Sequence, residues 1–337
     1  MLQKPVISDA SIIQCLADHY GVAVTRLDFL PLGADRNTAA YKAASVSGDY
    51  FVKLRSGSFD EMTVLVPKLL HEGGTMEVIA PLTNKTGQLW TPLEGFHLIL
   101  YLFVEGENGF QRELTTDNWV ELGQALKRIH AVALPPEILD RIPRETFSPF
   151  YRAKFRQYQA QVDTIAVRDP VAAEFAALMN EQREIISALV HHAERLAEIV
   201  RARSLPYVLC HADIHVGNMH ITPAGTLYIV DWDTMTLAPK ERDLMFPGMG
   251  LGTNESVTPE QQTACFYAGY GQTEVNSAAL AYYRCERIVQ DFYEYCGQIL
   301  FTEGDSADRT EGLRQFQSQF EPGAVVEHAL RSVGQHE

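Results

Sequence analysis

The residues best suited to chemistry lie in one short segment, His-Ala-Asp-Ile-His-Val-Gly-Asn at positions 211–218. Asp231 follows Asn218 by thirteen residues, directly after an apolar strand-like run. Phosphoryl transfer from a magnesium nucleotide needs a carboxylate beside the acceptor hydroxyl, and an amide oxygen and a second carboxylate on the metal. An H-x-D-x-x-x-x-N loop, a hairpin and a following Asp supply these groups in that order. The pattern predicts Asp213 as the catalytic residue and Asn218 and Asp231 as ligands of Mg²⁺.

A lysine on an apolar strand fits the same chemistry. Lys53 lies within Tyr-Phe-Val-Lys-Leu at positions 50–54. It is on the third predicted strand, where kinases place the lysine that binds the α- and β-phosphates of ATP. Such a lysine needs a carboxylate partner from the next helix, and we expect Glu61, with Asp60 and Glu72 as alternatives. An acid at a helix N-terminus is also favoured by the helix dipole alone.

The turn between the first two predicted strands, residues 32–38, occupies the place of a phosphate-covering loop. Its Gly33, Asn37 and Thr38 could offer backbone and side-chain donors to phosphate. Because it has one glycine rather than a G-x-G-x-x-G pattern, an ordinary hairpin loop explains the same residues. The turn is a candidate for nucleotide binding mainly through its position.

Acidic residues in the last third of the chain could face a cationic substrate. Glu241 opens a predicted helix after Asp231, while Glu286 and Asp291 lie on the helix expected from Ser277. Carboxylates bind ammonium groups, so all three are substrate-binding candidates. The alternative for each is structural: an acid that fastens residues 211–218, the predicted catalytic loop, or part of a solvated charged helix face.

A transition-metal site is the main chemical rival. His211, Asp213, His215 and His220 lie close together in the sequence and could be taken for a metal-hydrolase cluster. They match no H-E-x-x-H or comparable ligand spacing, and such a site leaves Lys53 without a role. We expect His211 to support the loop by hydrogen bonding and the other two histidines to be loop or strand surface residues.

The chemical residues need a scaffold of strands followed by helices. Hydrophobic periodicity predicts these elements. The predicted strands are 26–32, 38–46, 50–55, 88–92, 96–104, 207–210, 219–222 and 226–230, and the main predicted helices are 8–20, 60–71, 118–131, 170–203, 259–270 and 277–301. A β-rich first third and a helical remainder indicate an α+β chain in two lobes. The expected lobes are 1–104, which binds nucleotide, and 105–337, which carries catalysis and the substrate site.

Composition and charge narrow the class of partner. The 337 residues are 46% hydrophobic, which allows ample core for a globular protein. The formal charge is −15, and the residues after Val104 carry −13 of it. Such a balance disfavours nucleic acid and anionic membrane and would attract a cationic small molecule. Excess surface acid for solubility is the alternative explanation.

Cysteine usage and the N-terminal residues indicate a cytoplasmic protein. The five cysteines are scattered and form no C-x-x-C pair, which is typical of a reducing compartment. The N-terminus lacks the basic-then-apolar pattern of a secretory signal. The most apolar run, residues 98–104, is too short to span a bilayer. We expect a monomer or weak homodimer.

Taken together, the motifs resemble those of the aminoglycoside phosphotransferases, relatives of protein kinases that also include choline, methylthioribose and homoserine kinases. The matching segments are Phe51-Val-Lys53, Leu126-Lys-Arg-Ile-His130, residues 211–218, Val230-Asp231-Trp232-Asp233 and Lys240-Glu-Arg-Asp243-Leu244. Further similarity is spread over nearly the full length and points to the spectinomycin phosphotransferase type. It includes His19-Tyr20-Gly21, Asn108-Gly109-Phe110 and Glu286-Arg-Ile-Val289.

The resemblance implies a bilobal protein-kinase-like fold: a small antiparallel N-terminal sheet lobe, a larger helical lobe, and adenine held by backbone near Leu102 and Val104. It also implies ATP- and Mg²⁺-dependent phosphorylation of a hydroxyl of an aminocyclitol or aminoglycoside, spectinomycin above all, giving antibiotic resistance. One alternative is a metabolic kinase of choline, homoserine or methylthioribose. Another is a non-catalytic kinase-like nucleotide-binding protein, which is disfavoured because Lys53 and Asp213 are both present.

Overall fold

The computed structural model describes residues 4–32, 37–165, 169–249, 256–301 and 306–334. The helices, in chain order, are α1 (Asp9–Cys15), α2 (Met62–Glu72), α3 (Thr116–His130), α4 (Pro136–Leu139), α5 (Phe150–Ile165), α6 (Pro170–Glu181), α7 (Arg183–Arg201), α8 (Glu241–Leu244), α9 (Pro259–Tyr270), α10 (Ser277–Phe301), α11 (Ser306–Ser318) and α12 (Val325–Val333). The strands are β1 (Val24–Leu30), β2 (Thr38–Ser45), β3 (Gly48–Ser56), β4 (Thr91–Leu93), β5 (Phe96–Leu102), β6 (Glu107–Asn108), β7 (Val208–Cys210), β8 (Met219–Ile221), β9 (Leu227–Ile229) and β10 (Thr236–Ala238).

The chain divides into two compact units. The first unit comprises Met1–Arg112, Leu134–Arg141 and Gly217–Thr234. The second unit comprises Glu113–Ala133, Ile142–Val216 and Met235–Glu337. Each unit has its own architecture, and each carries part of the predicted chemistry.

A five-stranded antiparallel sheet, ordered β1-β2-β3-β5-β4, forms the framework of the first unit. Buried apolar residues of these strands pack with Ile12 of α1 in one core cluster, which includes Val52 and Leu54 of β3. Successive side chains of a strand point to opposite faces of the sheet. Lys53, between Val52 and Leu54, therefore points away from this core.

A smaller sheet of the first unit, ordered β6-β8-β9, carries the residues after the catalytic loop. The hairpin between β8 and β9 is closed by a hydrogen bond from the N–H of Gly225 to the carbonyl of Thr222, at 2.9 Å. Gly225 has a φ of +92°, a conformation that glycine adopts without steric cost. This hairpin brings the residue before β8, Asn218, back to the residues that follow β9.

The second unit is mainly helical, with α10 packed against α5, α7, α8, α11 and α12. Phe155 and Phe292, on α5 and α10, are fully buried, with ring centroids 5.7 Å apart. Helices α3 and α9 each begin with a capping box, at Thr115 and Thr258, which satisfies N–H groups that the helix leaves unpaired. The short strands β7 and β10 pair antiparallel beside the catalytic loop.

The antiparallel sheet and the helical remainder confirm the predicted α+β class. One predicted element is wrong: the helix expected over residues 170–203 is two helices, α6 and α7, separated at Gln182, whose φ and ψ are −90° and 11°. No Pro or Gly marks this break, so the periodic pattern runs across it. The lobe boundary at residue 104 stays a prediction. Among the described helices, none is long and apolar enough to cross a membrane.

Candidate active site

Lys53 lies at the centre of a charged cluster in the first unit. On β3 it stands opposite Ala40 of β2 and Ile99 of β5. Its Nζ donates to Oδ2 of Asp233 at 2.8 Å and lies 3.3 Å from Oδ1 of Asp231. The structure thus brings the predicted phosphate-binding lysine to the predicted metal-binding carboxylate.

Two cations share the carboxylates of this cluster. Burial opposes the charge of Lys53 more than any other single influence, but Asp231 and Asp233 together outweigh it, so the pKa of Lys53 is raised. Arg55, two residues along β3, also contacts Asp233. Asp233 is mostly covered by these two cations, whereas the side chain of Asp231 is 52% exposed. Asp231 is the carboxylate of the cluster that is open to a ligand.

The expected partnership of Lys53 and Glu61 is wrong in this structure. Glu61 is the N-cap residue of α2, and its Oε2 accepts a hydrogen bond from Nη2 of Arg141 at 3.0 Å. In this structure Lys53 obtains its negative partners from Asp231 and Asp233 instead. Two carboxylates already compensate its charge, and Glu61 remains in a half-exposed surface pair.

The alternative partners from the same helix are also engaged elsewhere. Oδ1 of Asp60 accepts the N–H of Met62 at 2.9 Å, a local contact at the start of α2. Glu72 pairs with Lys68 at 3.3 Å, one helical turn away. Neither carboxylate has a described contact with Lys53, which supports the assignment of Asp231 and Asp233 as its partners.

The two predicted metal ligands are joined through the backbone. The N–H of Val230 donates to the carbonyl of Asn218 at 3.0 Å, which ties Asn218 to the residue before Asp231. Asp231 has a φ of +64°, a left-handed conformation that costs a non-glycine residue roughly 1–2 kcal/mol. Such strain concentrates at functional sites. An amide oxygen and a carboxylate are ligands that Mg²⁺ prefers, so the residues present fit this ion.

Two of the three predicted phosphate-loop residues can be placed. Gly33 lies outside the described residues. The carbonyl of Asn37 accepts the N–H of Ser56 at 2.8 Å, and Thr38 opens β2 opposite Arg55. Asn37 and Thr38 therefore lie at the same end of β3 as Lys53, and their role in binding phosphate stays a prediction.

The backbone predicted to hold adenine follows directly from the sheet. Leu102 ends β5, and its side chain is exposed. The carbonyl of Val104 accepts a hydrogen bond from Nε2 of His220 at 3.0 Å. A Cβ at Gly106 would lie only 2.6 Å from the same nitrogen, so this close approach requires glycine. His220, expected to be a surface residue, instead fastens the segment after β5 to β8.

A buried carboxylate of the second unit, Asp243, holds the residues that begin the predicted catalytic loop. Oδ2 of Asp243 accepts the N–H of His211 at 2.9 Å, and Oδ1 accepts the N–H of Ala212 at 2.7 Å. Nε2 of His130 donates to Oδ2 at 3.0 Å. Nδ1 of His211 accepts the N–H of Asp213 at 3.3 Å. His211 supports the loop by hydrogen bonding, as expected, and Asp243 fastens the two residues that begin it.

The charge of Asp243 is maintained by these contacts. Burial raises its pKa more than any other single influence, but the hydrogen bond and charge of His130, the charge of His211 and the N–H of Ala212 outweigh burial together. The pKa of Asp243 is therefore lowered. A buried ionised carboxylate with several donors is the expected anchor for a loop whose backbone groups would otherwise be unpaired.

Asp213 contacts a cation from α10. Nη1 of Arg287 donates to Oδ1 of Asp213, and Nε of Arg287 donates to Oδ1 of Asp291 at 2.9 Å. Burial raises the pKa of Asp213, but Arg287, His215 and His211 reverse the sign, so that pKa is lowered. Asp213 is an ionised carboxylate, suited to accepting a hydrogen bond from a hydroxyl. The same arginine, Arg287, joins Asp213 to Asp291.

The other two predicted substrate acids are used inside the second unit. Glu286 contacts Arg152, with both side chains less than 10% exposed, and burial raises the pKa of Glu286. Oε1 of Glu241 accepts the N–H of Asn276 at 2.8 Å, and Glu241 is buried. The structure contradicts a substrate-binding role for these two, because helix packing covers both carboxylates. Neither structural alternative describes them either, because Glu286 lies in a buried ion pair rather than on a solvated helix face and Glu241 contacts Asn276 rather than residues 211–218.

The donor side chains that the structure brings together are not those of the rival metal site, which were Asp213 and three histidines. Among the described residues, the group of donor side chains close enough to share a metal ion is His130, Cys210 and Asp243. Asp243 in this group is occupied by backbone N–H groups of the catalytic loop. Burial raises the pKa of the Cys210 thiol well above its usual value, which disfavours the thiolate that metals bind. The group is a loop anchor.

Three cluster residues were missed by sequence reasoning. Asp233 and Arg55 complete the charges around Lys53, and Arg287 binds Asp213. The sequence did contain a signal for Asp233. It lies two residues after Asp231, and in an extended segment two such side chains point to the same side. No local pattern distinguishes Arg287 from the other charged residues of α10.

Comparison with known proteins identifies the family. A model of the phosphotransferase enzyme family matches residues 28–275. A spectinomycin phosphotransferase, solved in complex with ADP and spectinomycin, is 37% identical, with a TM-score of 0.90 over 97% of this chain and 99% of that one. Protein StrN of Streptomyces griseus is 26% identical over 273 residues, which is 77% of this chain and 83% of StrN.

A microcompartment-associated aminopropanol kinase shares the fold, with a TM-score of 0.63 and 14% identity over 97% of this chain and 98% of that one. These likenesses confirm the predicted protein-kinase-like fold. The family match covers most of the chain and includes Lys53, Asp213, Asn218 and Asp231. This chain belongs to the phosphotransferase enzyme family.

Proposed function

We propose that the chain is an ATP- and Mg²⁺-dependent enzyme that phosphorylates a hydroxyl of an aminocyclitol antibiotic, spectinomycin above all, and so confers resistance. The reaction type is supported by the charged cluster of the first unit. There Nζ of Lys53 lies 3.3 Å from Oδ1 of Asp231. Val230, the residue before Asp231, is hydrogen-bonded to Asn218. A phosphate-binding cation and two oxygen ligands for a metal thus occur in one cluster.

Each residue has a distinct role in the proposed mechanism. Lys53 exchanges part of its contact with Asp231 for oxygens of the nucleotide phosphates. Asn218 and Asp231 would hold Mg²⁺, which when bound neutralises charge that develops on the phosphate oxygens. Asp213 accepts a hydrogen bond from the acceptor hydroxyl and orients it. Since the transition state of phosphoryl transfer is loose, orientation matters more than strong basicity.

The acceptor class is supported by relationship and by charge. The 37% identical relative over nearly the full length is a spectinomycin phosphotransferase, solved with ADP and spectinomycin. The residues after Val104 carry −13 of the formal charge, which favours a ligand with ammonium groups. Among the three predicted substrate acids, Asp291 remains a candidate to contact that ligand. Phosphorylation would add negative charge to a ligand of negatively charged RNA, which supports resistance as the role.

Aromatic side chains of the second unit offer an apolar surface. Tyr158 and Tyr293 stack with ring centroids 5.4 Å apart, and Tyr151 lies edge-on to Tyr293 at 5.6 Å. Phe150 continues the row and is 48% exposed. We include these rings of α5 and α10 in the proposal as a surface for the saturated rings of an aminocyclitol. The cytoplasm, where ATP is available, is the proposed location.

A metabolic kinase is the second candidate. An aminopropanol kinase shares the fold with a TM-score of 0.63, so the same scaffold serves amino alcohols. The two candidates differ in the acceptor and share the residues around the nucleotide.

An acceptor panel separates these candidates. Consumption of ATP is measured with Mg²⁺ in the presence of spectinomycin, 4,6-linked aminoglycosides, choline, homoserine and methylthioribose. We expect acceptor-dependent turnover with spectinomycin that stops when EDTA removes the metal. Turnover with only one of the metabolites would refute the antibiotic proposal and support the metabolic one.

A further inference from the structure

Arg287 makes two ion pairs in the second unit that the predicted roles leave unexplained. Its Nη1 contacts Oδ1 of Asp213, and its Nε lies 2.9 Å from Oδ1 of Asp291. The guanidinium lies over the ring of Phe246, 5.8 Å from the centroid. One planar cation thus joins the proposed catalytic carboxylate to a second carboxylate.

The arrangement restricts Arg287 from two sides. Arg287 and Asp291 are four residues apart on α10, a spacing that places their side chains on one helix face. The guanidinium presents donors in a rigid plane, so binding two carboxylates at once fixes its direction. The side chains of Arg287 and Asp213 are only 23% and 22% exposed, so solvent screens their contact weakly. Asp213 cannot rotate without breaking this contact.

The remaining charged groups near the pair are compatible with this arrangement. Nε2 of His215 lies 3.7 Å from the other oxygen of Asp213, Oδ2. Arg242 adds positive charge near Asp291. Two carboxylates that would repel each other are therefore compensated chiefly by the guanidinium between them.

We propose that Arg287 is a positioning residue that fixes the carboxylate of Asp213, and that Asp291 holds Arg287 in place. This inference rests on the proposed role of Asp213. It gives Asp291 a function beside the catalytic loop: Asp213 contacts the hydroxyl, and Asp291 holds the arginine that orients Asp213.

The physical gain is orientation rather than basicity. Ion pairing with Arg287 makes Asp213 a weaker base, but a loose phosphoryl-transfer transition state requires little proton abstraction. A displacement of the reacting group by about 1 Å can lower a rate by about 100-fold. A carboxylate held from one side therefore serves the reaction better than a freely rotating one.

Steady-state kinetics with substitutions of Arg287 and Asp291 test the proposal. We expect R287Q to lower kcat by about 10- to 100-fold, with the KM for ATP changed less than about twofold. R287K keeps the charge and should recover part of the loss, and D291N should lower kcat in the same direction by a smaller factor. The double variant R287Q/D291N should be no slower than R287Q, since both act through one contact.

The matched control is Arg156→Gln, which removes an exposed arginine of α5 that pairs with Glu194 at 2.7 Å. This variant should keep the wild-type kcat. A kcat of R287Q within twofold of wild type would overturn the proposal. An R287K variant with the wild-type kcat would also contradict it, because a single ammonium cannot hold Asp213 and Asp291 as the planar guanidinium does. If R287Q fails to fold, R287K and D291N decide by the same criteria.

A measurement without turnover separates this inference from the proposed function. The Nε–H signal of Arg287 is identified in a ¹⁵N NMR spectrum by its loss in R287K. We expect D213N and D291N each to shift it and R156Q to leave it unchanged. No shift in D213N would contradict the ion pair. A shift in a protein that phosphorylates none of the acceptors would leave the contact standing and refute the proposed function.

Discussion

The carboxylate of Asp243 accepts the backbone N–H of Ala212 at 2.7 Å, and Ala212 has a φ of +68°. The left-handed conformation is unfavourable for alanine by roughly 1–2 kcal/mol. A short charge-assisted hydrogen bond from a buried carboxylate compensates this cost. The residue immediately before Asp213 is therefore held in a strained conformation by a residue of α8.

Replacing this anchor tests its contribution to stability. D243N should lower the free energy of unfolding by about 3 kcal/mol, because an amide cannot accept all the donors that a buried carboxylate satisfies. It should also lower kcat, since the loop loses its support. Chemical denaturation and steady-state kinetics check the two effects. Asp28→Asn, at a largely exposed pair with Arg26, is the control and should change neither.

The difference in the free energy of unfolding between wild type and D243N should depend on pH in a defined direction. The pKa of Asp243 is lowered on folding, so the unfolded chain binds this proton first as the pH falls. Its contribution to stability is therefore present above the unfolded pKa of about 3.9 and is lost as the pH falls towards the folded value. The gap between wild type and D243N should narrow from pH 7 to pH 3. A gap that stays constant would contradict the charged anchor.

Lys53 and Glu61 should respond very differently to substitution. Lys53→Ala removes the cation from Asp231 and Asp233, so we expect the KM for ATP to rise at least about tenfold and kcat to fall. E61Q removes only a half-exposed pair with Arg141, worth roughly 0–1 kcal/mol. Its kinetic constants should stay within about threefold of wild type. An E61Q variant as impaired as K53A would show that Glu61 is the functional partner of Lys53.

Local patterns were sufficient for the elements around Lys53. Val52 and Leu54 are buried and Lys53 faces the other side, as alternation along a strand requires. The Ser-Gly-Asp turn at residues 47–49, between β2 and β3, could also be predicted. Turn residues determine the backbone conformation within a few positions of themselves. The order of Asp213, Asn218 and Asp231 also follows from one contiguous motif.

Partner choice could not be predicted in the same way. Several carboxylates lay within reach of Lys53 by sequence, and the one it approaches most closely, Asp233, is 180 residues away. Glu286 likewise pairs with Arg152, 134 residues earlier, so its burial is a tertiary property. Such contacts depend on how distant elements pack, and neither periodicity nor local spacing records that packing.

Helix packing in the second unit depends on a glycine of α3. A Cβ at Gly123 would lie 2.7 Å from the backbone nitrogen of Tyr270 and closer still to the carbonyl of Phe266. G123A should therefore lower the free energy of unfolding by about 1–3 kcal/mol, through overpacking between α3 and α9. Thermal and chemical denaturation measure this loss.

Gly297 of α10 is the matched control for Gly123. A Cβ there meets nothing within 4 Å, so alanine adds only helix propensity. G297A should be unchanged or more stable by up to about 1 kcal/mol. Equal effects of the two substitutions would show that close packing at Gly123 does not determine stability.

The product of the reaction tests the central claim most directly. Wild type and D231N are incubated with spectinomycin, ATP and Mg²⁺, and the product is examined by mass spectrometry and by ³¹P–¹H correlation NMR. We predict a singly phosphorylated spectinomycin in which phosphorus couples to the proton on the carbon that carries the new phosphate ester, formed by wild type and not by D231N. Release of inorganic phosphate with unmodified spectinomycin, or an equal yield from D231N, would contradict the account.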